Sequence, residues 1–266
     1  MKKHVLILRY AIMFAIALLF QNCSKPDQDY PQYCQILQLV NHSRFTFDNY
    51  TADFQYDSKG TPLRITRTNT GTGTPNYLFR HDKYNRVTDI IGSYGNGDNG
   101  DIFEFWRRLK YDAKNRIILD SSFYSGIIGN NPIKIPGVSQ LILVYTYKYD
   151  AQNRIIKYNE WQAGGYQDRY FYYNNKGNLD STVTKRDDGN QYTNVYGNYD
   201  DKVNIRRTNP IWQYLDRNYS TNNSYNTMTS NKYGLPTTIG ATSIKDNPVY
   251  FLTFSVDNLD IQYSCK

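Results

Sequence analysis

The chain has 266 residues and a formal net charge of +7, from 31 basic and 24 acidic groups. The basic residues form no cluster, which excludes a nucleic-acid footprint, and the length suits one sizeable domain or two small ones. Tyrosine is abundant, with 27 residues, and aromatic residues make up 16% of the chain.

In chain order, Lys2, Lys3 and Arg9 supply a basic start, and Tyr10 to Phe20 is an apolar run of 11 residues, too short to span a bilayer. Residues 1–22 therefore read as a signal peptide. Cys23 follows Leu19-Phe20-Gln21-Asn22, a placement that resembles the lipobox of bacterial lipoproteins, with Asn22 in place of the usual small residue. That resemblance implies lipidation at Cys23 and residues 23–33 as a polar tether; the alternative is an ordinary cleaved signal with an incidental cysteine. Loss of Lys2, Lys3 and Arg9 leaves 28 basic against 24 acidic groups, so the mature charge is +4. With Cys23 lipidated, Cys34 and Cys265 remain as an even pair at the two ends of the mature domain. A disulfide between them would suit an oxidising envelope and, in the chain-entropy model, contribute at most on the order of 5 kcal/mol. The alternative is two unpaired buried thiols.

From residue 34 onward a short phrase recurs: Tyr56-Asp57-Ser58-Lys59-Gly60, His81-Asp82-Lys83-Tyr84-Asn85, Tyr111-Asp112-Ala113-Lys114-Asn115 and Tyr149-Asp150-Ala151-Gln152-Asn153. Looser copies are Tyr173-Asn174-Asn175-Lys176-Gly177 and Tyr199-Asp200-Asp201-Lys202-Val203. Each joins two runs rich in Tyr, Phe, Ile, Val and Thr, the composition of a pleated surface. Asp can bond the backbone two residues on, and Gly or Asn tolerates a left-handed backbone, so each copy predicts a hairpin turn. In Leu141 to Tyr149, the residues Leu141, Leu143, Tyr145, Tyr147 and Tyr149 share one face. Copies begin 25, 30, 38, 24 and 26 residues apart. That irregularity argues against a strict solenoid and puts the inserted loops, Gly92 to Gly100 and Gly126 to Gly137, along the opposite rim. Asn209-Pro210 is a cap followed by proline at the first helical position, which predicts a short helix near 210–217. Strands resume around Lys232 to Pro236 and end with Val249 to Val256 and Asp260 to Cys265.

These copies resemble the YD hairpin repeats of RHS-type proteins. The whole of 34–266 resembles more closely a family of uncharacterised Bacteroidota lipoproteins with a YD-like repeat domain, through Cys23, the turns above, Asn204, Asn209-Pro210, Asn222-Asn223 and Gly234-Leu235-Pro236. His81 and Val203 depart from the pattern. The resemblance implies an envelope lipoprotein and brings no known activity. The expected fold is all-β, with consecutive antiparallel hairpins forming a meander in a strongly curved or partly rolled sheet.

Chemistry-bearing motifs are sparse. His81 fills a repeat tyrosine position, and no Cys or His lies at metal-ligand spacing. Gly95 to Asp101 is oxygen-rich but lacks the distant Glu of a calcium loop, and reads as a turn. Asp187-Asp188 sits in a polar turn. No Gly-x-Ser-x-Gly elbow or phosphate loop occurs. No cofactor is expected. Ile127, Ile128, Ile133 and Ile135 read as packing over the sheet. Tyr rings offer flat apolar faces with a polar tip, so Tyr145, Tyr147, Tyr170 and Tyr172 are candidate ligand-binding residues for glycan or peptide. Asp180-Ser181-Thr182 resembles an envelope O-glycosylation motif, with Ser181 the acceptor. The expectation is a non-enzymatic binding or structural lipoprotein of the outer membrane, on its periplasmic or cell-surface side, with a glycan or envelope protein as partner. The alternatives are an envelope polysaccharide hydrolase and an outer-membrane assembly factor. A membrane-embedded barrel is disfavoured because Asn194 to Arg207 is too polar.

Overall fold

A computed structural model of the chain describes residues 34–42, 50–240, 250–255 and 258–266. The expected signal peptide 1–22, Cys23 and the expected tether to residue 33 lie outside the described residues, as does the start of the strand expected at Val249.

Each repeat turn is closed by the side-chain oxygen of its own Asp or Asn. Oδ1 of Asp112 accepts the backbone N–H of Lys114 (2.8 Å) and of Arg116 (2.9 Å), and Oδ1 of Asp150 does the same for Gln152 and Arg154. Asp57, Asp82 and Asn174 repeat the arrangement. The fifth residue takes a left-handed backbone each time: Gly60, Asn85, Asn115, Asn153 and Gly177. In three turns the other oxygen pairs with an arginine four residues on, in Asp82–Arg86, Asp112–Arg116 and Asp150–Arg154. That guanidinium then lies over the tyrosine of the next turn, with Arg86 4.8 Å from Tyr111, Arg116 5.1 Å from Tyr149 and Arg154 4.2 Å from Tyr173. The tyrosine hydroxyl in turn donates to the first residue of the preceding hairpin's second strand: Tyr111 to the Val87 carbonyl (2.7 Å), Tyr149 to Ile117 (2.7 Å), Tyr173 to Ile155 (3.3 Å) and Tyr199 to Leu179 (2.6 Å). The repeat is therefore a turn and a clasp at once.

The strands are β1 (Cys34–Asn41), β2 (Tyr50–Tyr56), β3 (Pro62–Arg67), β4 (Asn76–His81), β5 (Val87–Ser93), β6 (Ile102–Tyr111), β7 (Ile117–Ile127), β8 (Leu141–Tyr149), β9 (Ile155–Gln162), β10 (Gly165–Tyr173), β11 (Leu179–Arg186) and β12 (Gln191–Val195). Helix α1 (Pro210–Asp216) follows, then β13 (Thr227–Ser230), β14 (Pro236–Ile239), β15 (Tyr250–Phe251), β16 (Phe254–Ser255) and β17 (Leu259–Cys265). Fifteen of these strands form one antiparallel sheet in the order β12 back to β1, then β17, β14 and β13. The meander is as expected, and it is not closed into a barrel, since β12 and β13 remain as its two edges. β17 returns to pair with β1, and this pairing sets Cys34 opposite Cys265 in a disulfide.

Two places differ from the sequence expectation. The copy at Tyr199 keeps its clasp, and Asp200 accepts the Lys202 N–H (3.0 Å), but no hairpin follows. The fifth residue is Val203, whose branched Cβ disfavours the left-handed backbone the reversal needs. The chain instead runs through a 3₁₀ turn, Ile205–Thr208, into α1. An equivalent turn appears later at Asn231, whose Oδ1 accepts from Tyr233 (3.0 Å) and Leu235 (3.1 Å), with Gly234 left-handed and Tyr263 donating to the Pro236 carbonyl.

Asn209 caps α1 by accepting the Ile211 N–H (3.0 Å), with Pro210 at the first helical position. The helix fills the hollow of the sheet. Trp212 meets Phe54 on β2 and Phe79 on β4 edge-on at 5.7 Å, and Tyr214 meets Tyr147 on β8 at 5.4 Å. In a flat sheet β2 and β8 would lie about 29 Å apart, so two neighbouring helix side chains reach both only because the sheet curls around them. A buried ion pair sits in the same hollow, where Arg107 meets Asp120 with the Tyr214 hydroxyl on the same carboxylate oxygen (2.8 Å). On the opposite sheet face a smaller cluster, Ile91, Phe103, Trp106 and Ile128, is covered by the 127–135 loop. Ile128 packs there as expected, while Ile133 stays exposed.

Candidate binding face

The two-residue turn Ala163–Gly164 sets the register of β9 and β10 so that Trp161 stands directly across from Tyr166. Both point away from the core. Their rings stack at 5.4 Å with an interplanar angle of 29°, yet Trp161 is 57% and Tyr166 46% exposed. Large rings stacked on each other and still half open to solvent form a flat platform rather than a piece of core. Val144 on β8 continues this row beside Trp161, and the exposed Ile142 lies two residues further along β8 on the same face.

The next row on that face is Thr146, Asn159, Asp168 and Lys185, in register across β8 to β11. Asp168 accepts from Lys157 (2.7 Å) and Asn159. Despite a burial penalty that would raise it, hydrogen bonds from Lys157 and Asn159 hold the Asp168 carboxyl below its ordinary value. The following row is Lys148, Lys157, Tyr170 and Val183. Tyr170 is half-buried, bonds Asp168 (3.3 Å), and has Lys157 at 4.9 Å and Lys185 at 5.6 Å from its ring centre. Tyr172, at 50% exposure, ends the stripe opposite Ser181, which is itself half-buried on β11.

The sequence pattern groups Tyr145 and Tyr147 with Tyr170 and Tyr172; the structure separates them. Tyr145 and Tyr147 are each only 6% exposed, on the face turned into the hollow, and cannot offer a ring to a ligand. Arg217, at the end of α1, lies 4.5 Å from the Tyr145 ring and 4.2 Å from Tyr158, and Tyr214 bonds the Tyr147 hydroxyl (3.2 Å). Burial drives the Tyr145 hydroxyl pKa up, against the opposing charge of Arg217. The correction has a simple cause: alternation gives which residues share a face, whereas the arrival of α1 decides which face is covered. The Trp161–Tyr166 pair is not visible in the sequence for the converse reason, because its juxtaposition depends on the turn between the two residues.

At the rim beside Tyr166 lies a polar depression of about 270 Å³, lined by Glu160, Gln167, Arg186, Asp187 and Asp188 among others. Its carboxylates are engaged locally: Glu160 accepts from Gln167 (2.8 Å), Asp187 from the Tyr166 N–H (2.9 Å) and Asp188 from Asn190 (2.9 Å). The Asn190 backbone N–H, then its side chain, hold Asp188 below the usual carboxylate range. In the Gly95 to Asp101 loop, Asp101 accepts the N–H groups of Gly97 (3.0 Å) and Asp98 (3.1 Å), so the loop's carboxylate closes its own turn. His81 is half-buried, and burial lowers its imidazole pKa. Among the described residues no group of three or more His, Cys, Asp or Glu is placed to hold a metal ion, and no helix is long and apolar enough to cross a membrane.

Fold and face together define an open array of antiparallel hairpins carrying an aromatic platform on its outer side. No protein-family model matches the chain, and no curated protein matches it. Among solved structures it is similar to a chain of the TcdB2-TccC3-Cdc42 crystal structure, with 14% identity over 74% of this chain and a TM-score of 0.29. It is also similar to a chain of the Photorhabdus luminescens Tc holotoxin pore, with 14% identity over 74% of this chain and a TM-score of 0.30. The matched regions span only 12% and 10% of those chains. Likenesses of that size carry no argument about what this chain does.

Proposed function

We propose that the protein is a non-enzymatic, glycan-binding lipoprotein of the cell envelope, related to the uncharacterised Bacteroidota lipoproteins with YD-like repeats that its motifs resemble. Lipid on Cys23 anchors it to the outer membrane, and the array presents its outer face to polysaccharide. The observation that carries this reading is the exposed stacked pair Trp161–Tyr166. Sugar rings combine an apolar C–H face with equatorial hydroxyls. The platform offers aromatic area for the first, and Thr146, Asn159 and Asp168 one row away offer donors and acceptors for the second.

The test is a glycan array probed with the full chain, followed by titration of the best ligand. Trp161→Ala and Tyr166→Ala should each weaken binding about tenfold, the effect of losing ~1.4 kcal/mol. Because both side chains stand outside the core, the unfolding midpoint should stay within the range of ordinary surface changes, about 0.5 kcal/mol. No bound glycan, or binding indifferent to both substitutions, refutes the reading.

A further inference from the structure

The rows beside the ring platform carry an excess of positive charge, and this points to the kind of saccharide it takes. The rim depression does not contribute to this face, because Glu160 and Arg186 lie in the register row of Tyr145 and Gln167, on the other side of the sheet. In the two rows after the rings, on the same face, stand Lys148, Lys157 and Lys185 with a single carboxylate, Asp168. That carboxylate is taken by Lys157. Lys148 and Lys185 have no carboxylate partner among the described residues, although Lys148 lies directly across from Lys157 in the register. Facing like charges across a strand pair are unfavourable unless something neutralises them. Strand geometry puts Lys185 about 7 Å and Lys148 and Lys157 about 13 Å along the strands from the ring row, distances comparable with successive units of a bound oligosaccharide.

The geometry points to an anionic saccharide, bearing carboxylate groups, that seats one sugar on Trp161–Tyr166 and runs across Lys185 toward Lys148 and Lys157. This rests on the proposed glycan-binding role and adds to it both the charge class and the direction of the ligand. Lys185 and Lys148 supply the unpaired cations, and Lys157, already matched by Asp168, orients Tyr170 between them.

The experiment compares an oligogalacturonide with its fully methyl-esterified, neutral form, by titration of the full chain at low and at physiological salt. The acidic form should bind about tenfold more tightly at low salt, the scale of two or three exposed charge pairs, and the advantage should shrink as salt rises. Lys148→Gln with Lys185→Gln should bring the ratio of acidic to neutral affinity toward one. Lys59→Gln with Lys114→Gln, exposed lysines on the opposite rim, should leave that ratio as it was. Equal affinities for the two forms overturn the charge assignment while leaving the glycan role standing, as does an equal loss from both lysine pairs. Binding of neither form to the wild-type chain, in an array where nothing else binds, overturns both.

Discussion

Replacing Asp120 by Ala would strand the guanidinium of Arg107 in the hollow behind α1. Asp120 is fully buried, and it receives Arg107 through Nε (2.7 Å) and Nη2 (2.5 Å), the Tyr214 hydroxyl (2.8 Å) and the Ser122 hydroxyl (2.9 Å). The Arg107 pKa reflects this setting: burial pushes it down, and the Asp120 charge more than restores it. Two unit charges about 4 Å apart at an effective dielectric near 20 attract by about 4 kcal/mol, and breaking a buried pair by removing one partner typically costs about 3–5 kcal/mol. With a urea slope near 3 kcal/mol/M, Asp120→Ala should therefore lower the unfolding midpoint by about 1.3 M. Arg107→Met should do about the same. The double variant Arg107→Met/Asp120→Leu should be destabilised by much less than the two losses added, because it removes both charges together. Urea titration followed by tryptophan fluorescence reads all four corners of the cycle. Additive losses, or a loss below about 1 kcal/mol for Asp120→Ala, would refute the claim that this pair is coupled and dry.

Three further outcomes follow from the repeat and its closure. Replacing Cys34 and Cys265 with Ala should destabilise by up to about 5 kcal/mol, less whatever structure the open chain retains, and the wild type should show the same fall when reductant is added. Tyr149→Phe should cost about 1 kcal/mol by leaving the Ile117 carbonyl unpaired, whereas Tyr173→Phe, whose bond is 3.3 Å long, should cost less in the same denaturation assay. In acid, Asp112 is held below its ordinary pKa by the Arg116 N–H first and then by the Arg116 and Lys114 contacts; Asp82 is also lowered, by hydrogen bonds from Arg86 and Tyr84 that outweigh burial. Folded pKa values below the unfolded value of about 3.9 mean that this stabilisation is whole above pH ~4 and fades as pH falls through the folded values. Thermal midpoints should be flat from neutrality to about pH 5 and drop below 4, and Asp112→Asn should flatten that drop.

The parts of this fold that are local were readable in advance. Asp followed three residues later by Gly or Asn encodes a reversal whose hydrogen bonds close within five residues, so the turns at Asp57, Asp82, Asp112, Asp150 and Asn174 needed no tertiary information. Val203 spoiled the same rule for a reason the residue itself announces. What was not readable depends on elements that meet from far apart. Tyr145 and Tyr147 share a face in any strand, but only α1, some sixty residues on, makes that face the inside. Trp161 and Tyr166 become a platform only in the register their turn imposes. The tyrosine clasp did have a signal, the steady Tyr-Asp-x-x-Asn-Arg order at 111–116 and 149–154; its meaning lies in the neighbouring hairpin, which one copy cannot disclose.

Every clasping hydroxyl from Tyr111 to Tyr199 reaches to the hairpin that precedes it, which gives the array a polarity. A hairpin is secured only once its successor has been made, so during synthesis each new unit locks the one before it and leaves itself unlocked. Tyr199 ends the series by clasping Leu179 without starting another hairpin, and so behaves as a terminal cap of the sort that repeat arrays require. At the other end, β17 joins β1 through the Cys34–Cys265 bridge and carries the array on to the β14–β13 hairpin, which Tyr263 clasps at Pro236. Loss of a turn tyrosine therefore loosens the hairpin ahead of it in the chain rather than its own.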